Sequence, residues 1–209
     1  MMLKYEKALW KKGIKYIVGV DEVGRGPLAG PLVAAAVILD PNNIIEGLND
    51  SKQLSSKKRK ILKKEIEQNA IAYSYVFISE EVVDQINVYQ ASKLGMLKAI
   101  KKLTVKPDFI LSDAMPLRES AIPYESIIKG DTLSASIAAA SIIAKEIRDD
   151  YMIKMADIYP GYDFENNKGY PTKKHLAALK EIGICKIHRK TYKPVKEALE
   201  KQLTLWETI

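Results

Sequence analysis

The stretch "VGVDEVGRGPLAGPLVAAAVIL", residues 18–39, decides the fold class of this chain. An apolar run ends in two adjacent acids, Asp21 and Glu22, and a glycine-rich loop leads into a second apolar run rich in β-branched residues. This order predicts a strand, a loop and a second strand. A pair of acids at the end of a buried strand is costly unless a partner compensates the charge. The rest of the sequence must therefore supply such a partner, or the pair is ordinary surface.

Strand patterns alternate with helix patterns along the rest of the chain. The predicted strands span residues 16–21, 31–39, 70–78, 108–112 and 124–128. The predicted helices span residues 55–67, 79–103, 130–160, 172–182 and 194–203, the second being compatible with two helices that meet near Val88. This alternation predicts a mixed α/β sheet flanked by helices. We place a domain boundary after residue 160, which separates a mixed α/β domain, residues 1–160, from a small helical C-terminal subdomain, residues 161–209.

Basic residues are concentrated in two segments. The 209 residues carry a net charge of +7, and 47% of them are hydrophobic, enough for a sizeable core. Residues 51–67 contain seven Lys or Arg against two Glu, and residues 165–201 contain ten against four. This surplus favours an anionic partner, although two solvated helix faces would give the same pattern.

Targeting and redox features are sparse. Cys185 is the single cysteine, so an internal disulfide is excluded and a buried, small apolar role is expected. Residues 1–13 lack the apolar run of a signal peptide, and no stretch reaches 18 apolar residues. We expect a cytoplasmic protein with no membrane partner, and a monomer by default.

Three further positions could join Asp21 in a metal site. Glu22 follows it, Asp113 ends a predicted strand in "FILSDAM", and Asp131 precedes the longest predicted helix in "IIKGDTLSAS". Carboxylates gathered at one edge of a sheet would repel each other, and Mg²⁺ or Mn²⁺, which prefer oxygen ligands, would relieve this. Two such ions about 4 Å apart can activate a water and stabilise a leaving oxygen in phosphodiester hydrolysis.

A structural interpretation of the same acids stays open. An Asp at the end of a strand is commonly a turn residue, and Asp131 would suit the N-cap of the following helix. Adjacent strand residues also point to opposite faces, so Asp21 and Glu22 can share a site only where the strand ends or twists.

The glycine-rich loop does not predict a nucleotide cofactor. Its glycines at 24, 26 and 30 do not match G-x-G-x-x-G, and no G-K-[ST] follows. The pattern instead indicates an exposed loop whose backbone can approach a ligand closely, with Arg25 available for a phosphate.

Six segments, in order along residues 16–195, resemble those of the bacterial ribonuclease HII family. They are "VDEVGRGPLAGPLVAAAVIL", "NDSKQLSSKKR", "INVYQASKLGM", "KGDTLSASIAAASIIAKEIRD", "NKGYPTKKH" and "HRKTYKPV". The resemblance implies an RNase H-like mixed sheet flanked by helices, with a helical C-terminal subdomain that binds substrate. It implies a metal-dependent endoribonuclease with two Mg²⁺ or Mn²⁺ ions. The substrates would be RNA–DNA hybrids and duplex DNA with embedded ribonucleotides, cut 5′ to the ribonucleotide to leave a 3′-hydroxyl and a 5′-phosphate.

The same resemblance assigns roles to individual residues. The four catalytic and metal-binding acids would be Asp21, Glu22, Asp113 and Asp131. Gly24, Arg25 and Gly26 would sense the 2′-hydroxyl, the group that distinguishes RNA from DNA. Tyr170 would sense the junction between ribonucleotide and deoxyribonucleotide, although without the resemblance it is an ordinary loop tyrosine.

A few other polar residues fit substrate contacts. Lys52 and Ser134 could contact phosphates, whereas Ser136 suits tight helix packing equally well. His175 and His188 lie in the basic C-terminal region, where a hydrogen-bonding or phosphate-binding role is expected in preference to metal ligation.

Two other functions remain compatible with the fold. A non-catalytic protein that binds RNA–DNA hybrids would bind without turnover, and a nuclease of the integrase or resolvase type would not require a ribonucleotide. Residues 203–209, "LTLWETI", make a poor sliding-clamp motif, with one aromatic residue and no suitable Gln.

Overall fold

Five strands form one sheet in the order β3–β2–β1–β4–β5. The computed structural model describes residues 2–207, with side chains to Gln202. The strands are β1 (Ile17–Val23), β2 (Leu32–Ile38), β3 (Ala72–Ile78), β4 (Phe109–Asp113) and β5 (Tyr124–Ile127). Strand β1 is antiparallel to β2 and parallel to β4, and β4 is parallel to β5. The predicted mixed α/β sheet is therefore confirmed.

The helices account for most of the remaining chain. They are α1 (Lys4–Lys11), α2 (Ser56–Asn69), α3 (Glu80–Lys102), α4 (Ala135–Ile158), α5 (Phe164–Asn167), α6 (Lys173–Glu181) and α7 (Lys193–Glu207). Every predicted strand and helix is present, and only their ends differ. The sequence patterns did not predict α5 as a helix, because four residues are too short to show a helical period.

Helix α3 is broken near its middle, as the sequence indicated. Asn87 has φ 64° and ψ 164°, which no α-helix contains. Its side-chain oxygen accepts hydrogen bonds from the backbone N–H groups of Tyr89 and Gln90, at 3.0 and 3.1 Å. Asn87 therefore caps the second half of α3 and starts it in a new direction.

Small residues allow α4 to lie directly on the sheet. A Cβ built on Gly19 of β1 would lie 2.0 Å from the carbonyl carbon of Ser136, so only glycine fits there. The alanines of α4 and the apolar side chains of β2 share one buried cluster, which includes Val33, Ala35, Val37, Ala135, Ala138, Ala139, Ala140 and Ala144. The predicted close packing of this helix against a sheet is confirmed.

The start of α4 corrects one expectation. Asp131 lies in a short 3₁₀ turn, Gly130–Thr132, and the α-helix begins only at Ala135. The backbone N–H of Ala135 donates to the carbonyl of Met2 at 2.7 Å, and that of Ile137 donates to the Ser134 hydroxyl at 3.3 Å. The N-cap role expected for Asp131 is therefore wrong, since other groups satisfy the first N–H groups of the helix.

Internal contacts divide the chain into two compact units. The first, here called the sheet unit, comprises residues 1–23, 33–77 and 92–147, and the second, the loop–helix unit, comprises residues 24–32, 78–91 and 148–209. The loop–helix unit has its own core, built from Leu28, Ala29, Met152, Tyr162, Phe164, Ala178, Leu179, Ile187 and Val195. The domain boundary expected after residue 160 stays a prediction.

Among the described residues, no helix is both long enough and apolar enough to cross a lipid bilayer. The cytoplasmic location and the monomeric state stay predictions. Residues 208–209, and the side chains of the whole segment 203–209 discussed as a clamp motif, lie outside the described part of the chain.

Candidate active site

Three carboxylates of the sheet unit converge. Asp21, Asp113 and Asp131 each offer one oxygen, and these oxygens all lie within 4.8 Å of one another. Asp21 and Asp131 are buried, and Asp113 is half-buried. Oxygens at this spacing could ligate a common divalent cation.

Strand topology explains why two of these acids meet. β1 and β4 are parallel neighbours, and their register pairs Val20 with Ser112. Asp21 and Asp113 are the next residues of β1 and β4 after this last pair, so both lie at the carboxyl end of the parallel ladder. Side chains that follow adjacent parallel strands meet at this edge, the usual place for a ligand in an α/β sheet.

A tight turn brings in the third acid. The backbone N–H of Gly130 donates to Asp113 Oδ1 at 2.7 Å, which joins the Gly130–Thr132 turn to the end of β4. Lys129, directly before the turn, adopts the left-handed conformation with φ 57°. This geometry places Asp131 beside Asp113.

Burial and neighbouring charges raise the pKa values of the three acids. Burial raises the pKa of Asp21 well above its usual value, and the charges of Glu22 and Asp113 raise it further. Burial likewise raises the pKa of Asp113. Burial, with the charges of Asp113 and Asp50, raises the pKa of Asp131 to about 6. Mutual repulsion of this kind is relieved when a divalent ion binds.

Lys52 lies in the field of these carboxylates. Burial lowers the pKa of its ammonium group, but attraction by Asp50, Asp131, Asp21 and Asp113 outweighs this effect and raises the pKa overall. Asp50 caps the short turn Ser51–Gln53 by accepting from the backbone N–H of Lys52 at 3.0 Å. Our sequence analysis missed Asp50, although it directly precedes the "SK" of a motif that we had quoted.

Glu22 is not part of the group of three. Strand β1 continues to Val23, so alternation directs Glu22 away from the face of Asp21. Its backbone N–H donates to Asp21 Oδ1 at 2.7 Å, and its charge still acts on Asp21. Of the four expected acids, three therefore form a close group, and Glu22 lies next to that group.

The two serines near Asp131 are both buried. The Ser134 hydroxyl donates to a carboxylate oxygen of Glu6 at 2.6 Å, which commits it to a structural contact. The Ser136 backbone packs against Gly19, in line with the helix-packing alternative. Neither serine is therefore exposed to contact a phosphate.

In the loop–helix unit, two buried arginines hold the glycine-rich loop from its inner side. Arg148 donates to the carbonyls of Ala29 and Pro31, and Arg189 donates to the carbonyls of Gly24, Arg25 and Gly30, at distances from 2.6 to 3.1 Å. Arg25 and Gly26 stay exposed. The loop is thus held by its carbonyl groups with its tip open to a ligand.

These arginines were missed by the sequence analysis. Burial and the charge of Arg189 lower the pKa of Arg148 to about 10, so the group remains charged at neutral pH. A charged side chain with almost no exposure is rare unless it is fully hydrogen-bonded. Both arginines lie in segments that resemble family motifs, "KEIRD" and "HRK", but a sequence cannot show that an arginine is buried.

Tyr170 lies beside the tip of this loop. A Cβ built on Gly26 would lie 3.6 Å from the ring of Tyr170, and the Arg148 guanidinium carbon lies 5.9 Å from the ring centre. The ring is 38% exposed. The structure therefore places the exposed Gly26 beside Tyr170, with Arg25 exposed next to it and Gly24 buried against Arg148.

Known proteins resemble this chain over nearly its full length. The model of the family described as "Ribonuclease HII" matches residues 18–195. Ribonuclease HII of Listeria monocytogenes serovar 1/2a is 57% identical over 197 residues, which cover 94% of this chain and 75% of the relative. Ribonuclease HII of Bacillus cytotoxicus is 52% identical over 202 residues, covering 97% and 78%.

Solved structures share the fold. Ribonuclease H2 from Pyrococcus horikoshii OT3 is 26% identical with a TM-score of 0.76, covering 89% of this chain and 98% of that one. RNase HII of Archaeoglobus fulgidus, solved in a complex with PCNA, is 26% identical with a TM-score of 0.74, covering 85% and 95%. Bst-RNase HIII in complex with Mn²⁺, at 20% identity and a TM-score of 0.65 over 89% and 70%, supports the fold alone.

The acids at the carboxyl edge of the sheet, the arginine-held loop and Tyr170 all fall within the matched residues 18–195. With relatives more than half identical over nearly the whole chain, this protein belongs to the ribonuclease HII family and is a type 2 ribonuclease H, an endoribonuclease.

Proposed function

We propose that this protein hydrolyses the RNA strand of RNA–DNA hybrids and nicks duplex DNA on the 5′ side of single embedded ribonucleotides. The products would carry a 3′-hydroxyl and a 5′-phosphate. The observation that carries the proposal is the convergence of Asp21, Asp113 and Asp131, whose oxygens lie within 4.8 Å of one another. Such an activity would remove ribonucleotides and RNA primers from DNA in the cytoplasm.

The acid group fits a hard divalent cation. Its donors are all carboxylate oxygens, which Mg²⁺ and Mn²⁺ prefer, and its raised pKa values express a repulsion that a cation would relieve. Asp21, Asp113 and Asp131 would hold the metal, with Glu22 as the fourth acid. Two bound ions would supply the activation of water and the neutralisation of the leaving oxygen.

The chain's own residues would orient the scissile phosphodiester. Lys52 is exposed and lies in the field of the acids, so its ammonium group could bind a phosphate oxygen next to the cleaved bond. Asp21 is held by its hydrogen bond from the Glu22 backbone, and Asp113 by its hydrogen bond from Gly130, so neither rotates freely. A protein nucleophile is not needed for this reaction.

The loop–helix unit would select the nucleotide. Gly24, Arg25 and Gly26 present a backbone surface that a side chain on Gly26 would obstruct, and that surface could contact a 2′-hydroxyl. The ring of Tyr170 could stack on the neighbouring deoxyribose. The fixed carbonyl contacts of the loop support this role, because recognition of one hydroxyl requires a preorganised backbone.

The basic segments would bind duplex phosphates without reading sequence. Residues 51–67 and 165–201 carry this positive charge. We propose that residues 161–209 serve as a substrate-binding subdomain of a catalytic domain in residues 1–160. Binding should weaken steeply as salt is raised.

The decisive test is a cleavage assay. An end-labelled DNA duplex with one ribonucleotide is incubated with Mg²⁺, with Mn²⁺ or with EDTA, beside an all-DNA duplex. A metal-dependent nick 5′ to the ribonucleotide, absent from the all-DNA control, would support the proposal. Binding without a nick in either metal would favour the non-catalytic alternative, and equal cleavage of the all-DNA duplex would favour a nuclease of the integrase or resolvase type.

A further inference from the structure

Two histidines of the loop–helix unit take no part in the proposed chemistry. His175 lies on α6 and His188 lies in the segment before α7, and both side chains are buried. Their Nε2 atoms are 3.1 Å apart. Neither ring is open to a phosphate, so the phosphate-binding role considered from the sequence does not apply to them.

The groups at the two ends fix the protons of this pair. The carbonyl of Tyr170 lies 2.9 Å from His175 Nδ1 and can only accept, so His175 Nδ1 carries a proton. Three groups of Cys185 lie near His188 Nδ1: the backbone N–H at 2.9 Å, the thiol sulfur at 3.1 Å and the carbonyl at 3.3 Å. The N–H is the nearest and can only donate, so we assign His188 Nδ1 as bare. A neutral imidazole has one N–H, and therefore His188 Nε2 donates to His175 Nε2.

Both rings remain neutral in this environment. Burial and the neighbouring His175 lower the pKa of His188 to about 4, and burial lowers the pKa of His175. Protonation of His175 at Nε2 would place two N–H donors opposite each other across the 3.1 Å contact, and protonation of His188 at Nδ1 would place a second donor opposite the Cys185 N–H. At neutral pH the chain of hydrogen bonds runs in one direction, from Cys185 through His188 and His175 to Tyr170.

This chain ends on the peptide that carries the Tyr170 ring. The Tyr170 carbonyl also accepts from the backbone N–H of Thr172 at 2.8 Å, and the Tyr170 N–H donates to the carbonyl of Asn167 at 2.9 Å. The Tyr170 peptide is thus held on both sides while its ring stays exposed near Gly26. A loss of the His175 contact would leave this carbonyl held by the Thr172 N–H and no longer by the histidine pair.

We propose that His175 and His188 are positioning residues, which orient Tyr170 through its carbonyl and thereby set the preference for the ribonucleotide–deoxyribonucleotide junction. This inference rests on the proposed function, because it assigns junction sensing to Tyr170. The two histidines contact neither the reacting atoms nor solvent, so their effect would fall on substrate choice and not on the cleavage step itself.

The proton arrangement can be tested without any activity. Imidazole ¹⁵N NMR of the wild-type protein at pH 7 reports which ring nitrogens carry protons. We expect the Nδ1–H form for His175 and the Nε2–H form for His188, with both N–H protons slow to exchange. The reverse forms, or a charged ring at this pH, would overturn the inference.

The effect on substrate choice can be tested with two replacements of one ring. In His175→Asn the side-chain amide can take the place of Nδ1–H and keep the bond to Tyr170. In His175→Gln the longer amide reaches toward His188 and leaves Tyr170. Glu181→Gln, at the exposed end of the same helix, is the matched control.

The readout is the ratio of kcat/KM on a single ribonucleotide in DNA to kcat/KM on a long hybrid. We expect His175→Gln to lower this ratio about tenfold, as the loss of one hydrogen bond allows, and His175→Asn to change it by less than about twofold. Equal losses on both substrates, or identical ratios for the two variants, would overturn the inference.

Tyr170→Ala separates this inference from the proposed function. If Tyr170→Ala lowers the ratio and His175→Gln does not, the histidine chain fails as a positioning device while the role of Tyr170 stands. If Tyr170→Ala leaves the ratio unchanged, junction sensing and the histidine inference fail together, whereas metal-dependent cleavage is unaffected.

Discussion

A carboxylate oxygen of Glu6, on the first helix, accepts a hydrogen bond of 2.9 Å from the backbone N–H of Ser136, at the start of α4. The same oxygen accepts from the Ser134 hydroxyl at 2.6 Å, and the Glu6 side chain is fully buried. An acid at a helix N-terminus satisfies N–H groups that lack partners within the helix. The amino-terminal helix thus fixes the start of α4, four residues after Asp131.

Removal of this carboxylate should destabilise the sheet unit. Glu6→Ala leaves the Ser134 hydroxyl and the Ser136 N–H buried without an acceptor, which should lower the free energy of unfolding by about 2–3 kcal/mol. Glu6→Gln keeps an accepting oxygen and should lose much less. Urea unfolding of the two variants checks this, and equal losses would show that charge, and not hydrogen bonding, is what Glu6 contributes.

Asp21→Asn should remove activity and keep binding. The replacement halves the charge that Asp21 and Asp113 together offer a cation. Because metal assistance is worth several kcal/mol, turnover should fall at least about a thousandfold. Affinity for a hybrid in EDTA should stay within about twofold, because duplex phosphates are bound elsewhere. Asp157→Asn, on the exposed side of α4, is the control. Unchanged turnover in Asp21→Asn would contradict the proposed site.

The metal-free protein should lose stability as the acids ionise. The pKa of Asp131 is raised to about 6 in the folded chain, so folding is penalised as pH rises through the interval from the unfolded value near 4 to 6. In EDTA, Asp131→Asn should melt at the same temperature as wild type at pH 4 and about 2–4 °C higher at pH 7. This shift corresponds to a difference of roughly 1 kcal/mol in the free energy of unfolding. Titrating groups that behave alike in both proteins do not contribute to the difference between the two melting temperatures. A constant difference across this range would contradict the site's electrostatics, and added Mg²⁺ should favour wild type.

Two glycines should respond in opposite ways to alanine. In Gly19→Ala the new Cβ meets the Ser136 backbone at 2.0 Å, and unfolding should become easier by about 3 kcal/mol. In Gly26→Ala the Cβ meets only the Tyr170 ring at 3.6 Å, so stability should change by less than about 0.5 kcal/mol. Cleavage by Gly26→Ala should still fall at least about tenfold, since a misplaced substrate is costly. A Gly26→Ala protein with full activity would exclude close backbone approach at this loop.

Tyr170→Ala should discriminate between substrates. Loss of a stacking ring costs roughly tenfold or more in favourable cases. We expect this decrease in the rate of cleavage at a single ribonucleotide in DNA. On a long hybrid, where no deoxyribose follows the cleaved nucleotide, the loss should be small. Cleavage rates on the two duplexes, measured side by side, check this, and an equal decrease on both would make Tyr170 a purely structural residue.

The sequence was most informative where its patterns are periodic. Apolar runs located β1 and β2, and the long helical pattern was compatible with two helices meeting near Val88, where the structure has a break at Asn87. Alanine and serine in α4 predicted its close contact with the sheet, because small side chains serve little other purpose in a buried helix. These features depend on residues close in the chain, and local propensity suffices for them.

The acid group itself was named by resemblance and brought together only by the fold. Asp21 and Asp113 are 92 residues apart in number, and their approach depends on the parallel pairing of β1 with β4. Asp131, a candidate for the metal site with the N-cap of α4 as the alternative, lies in a 3₁₀ turn, because Glu6, Ser134 and Met2 cap α4.

By itself the sequence thus determined the mixed α/β class, the strand ends that carry acids and the family to which the chain belongs. Only the tertiary structure decided which of the acids lie together, that Ser134 is buried, that Arg148 and Arg189 donate to carbonyls of the glycine-rich loop, and that His175 and His188 form a buried pair. Burial and hydrogen-bond partners depend on contacts between distant parts of the chain, and no local pattern encodes them.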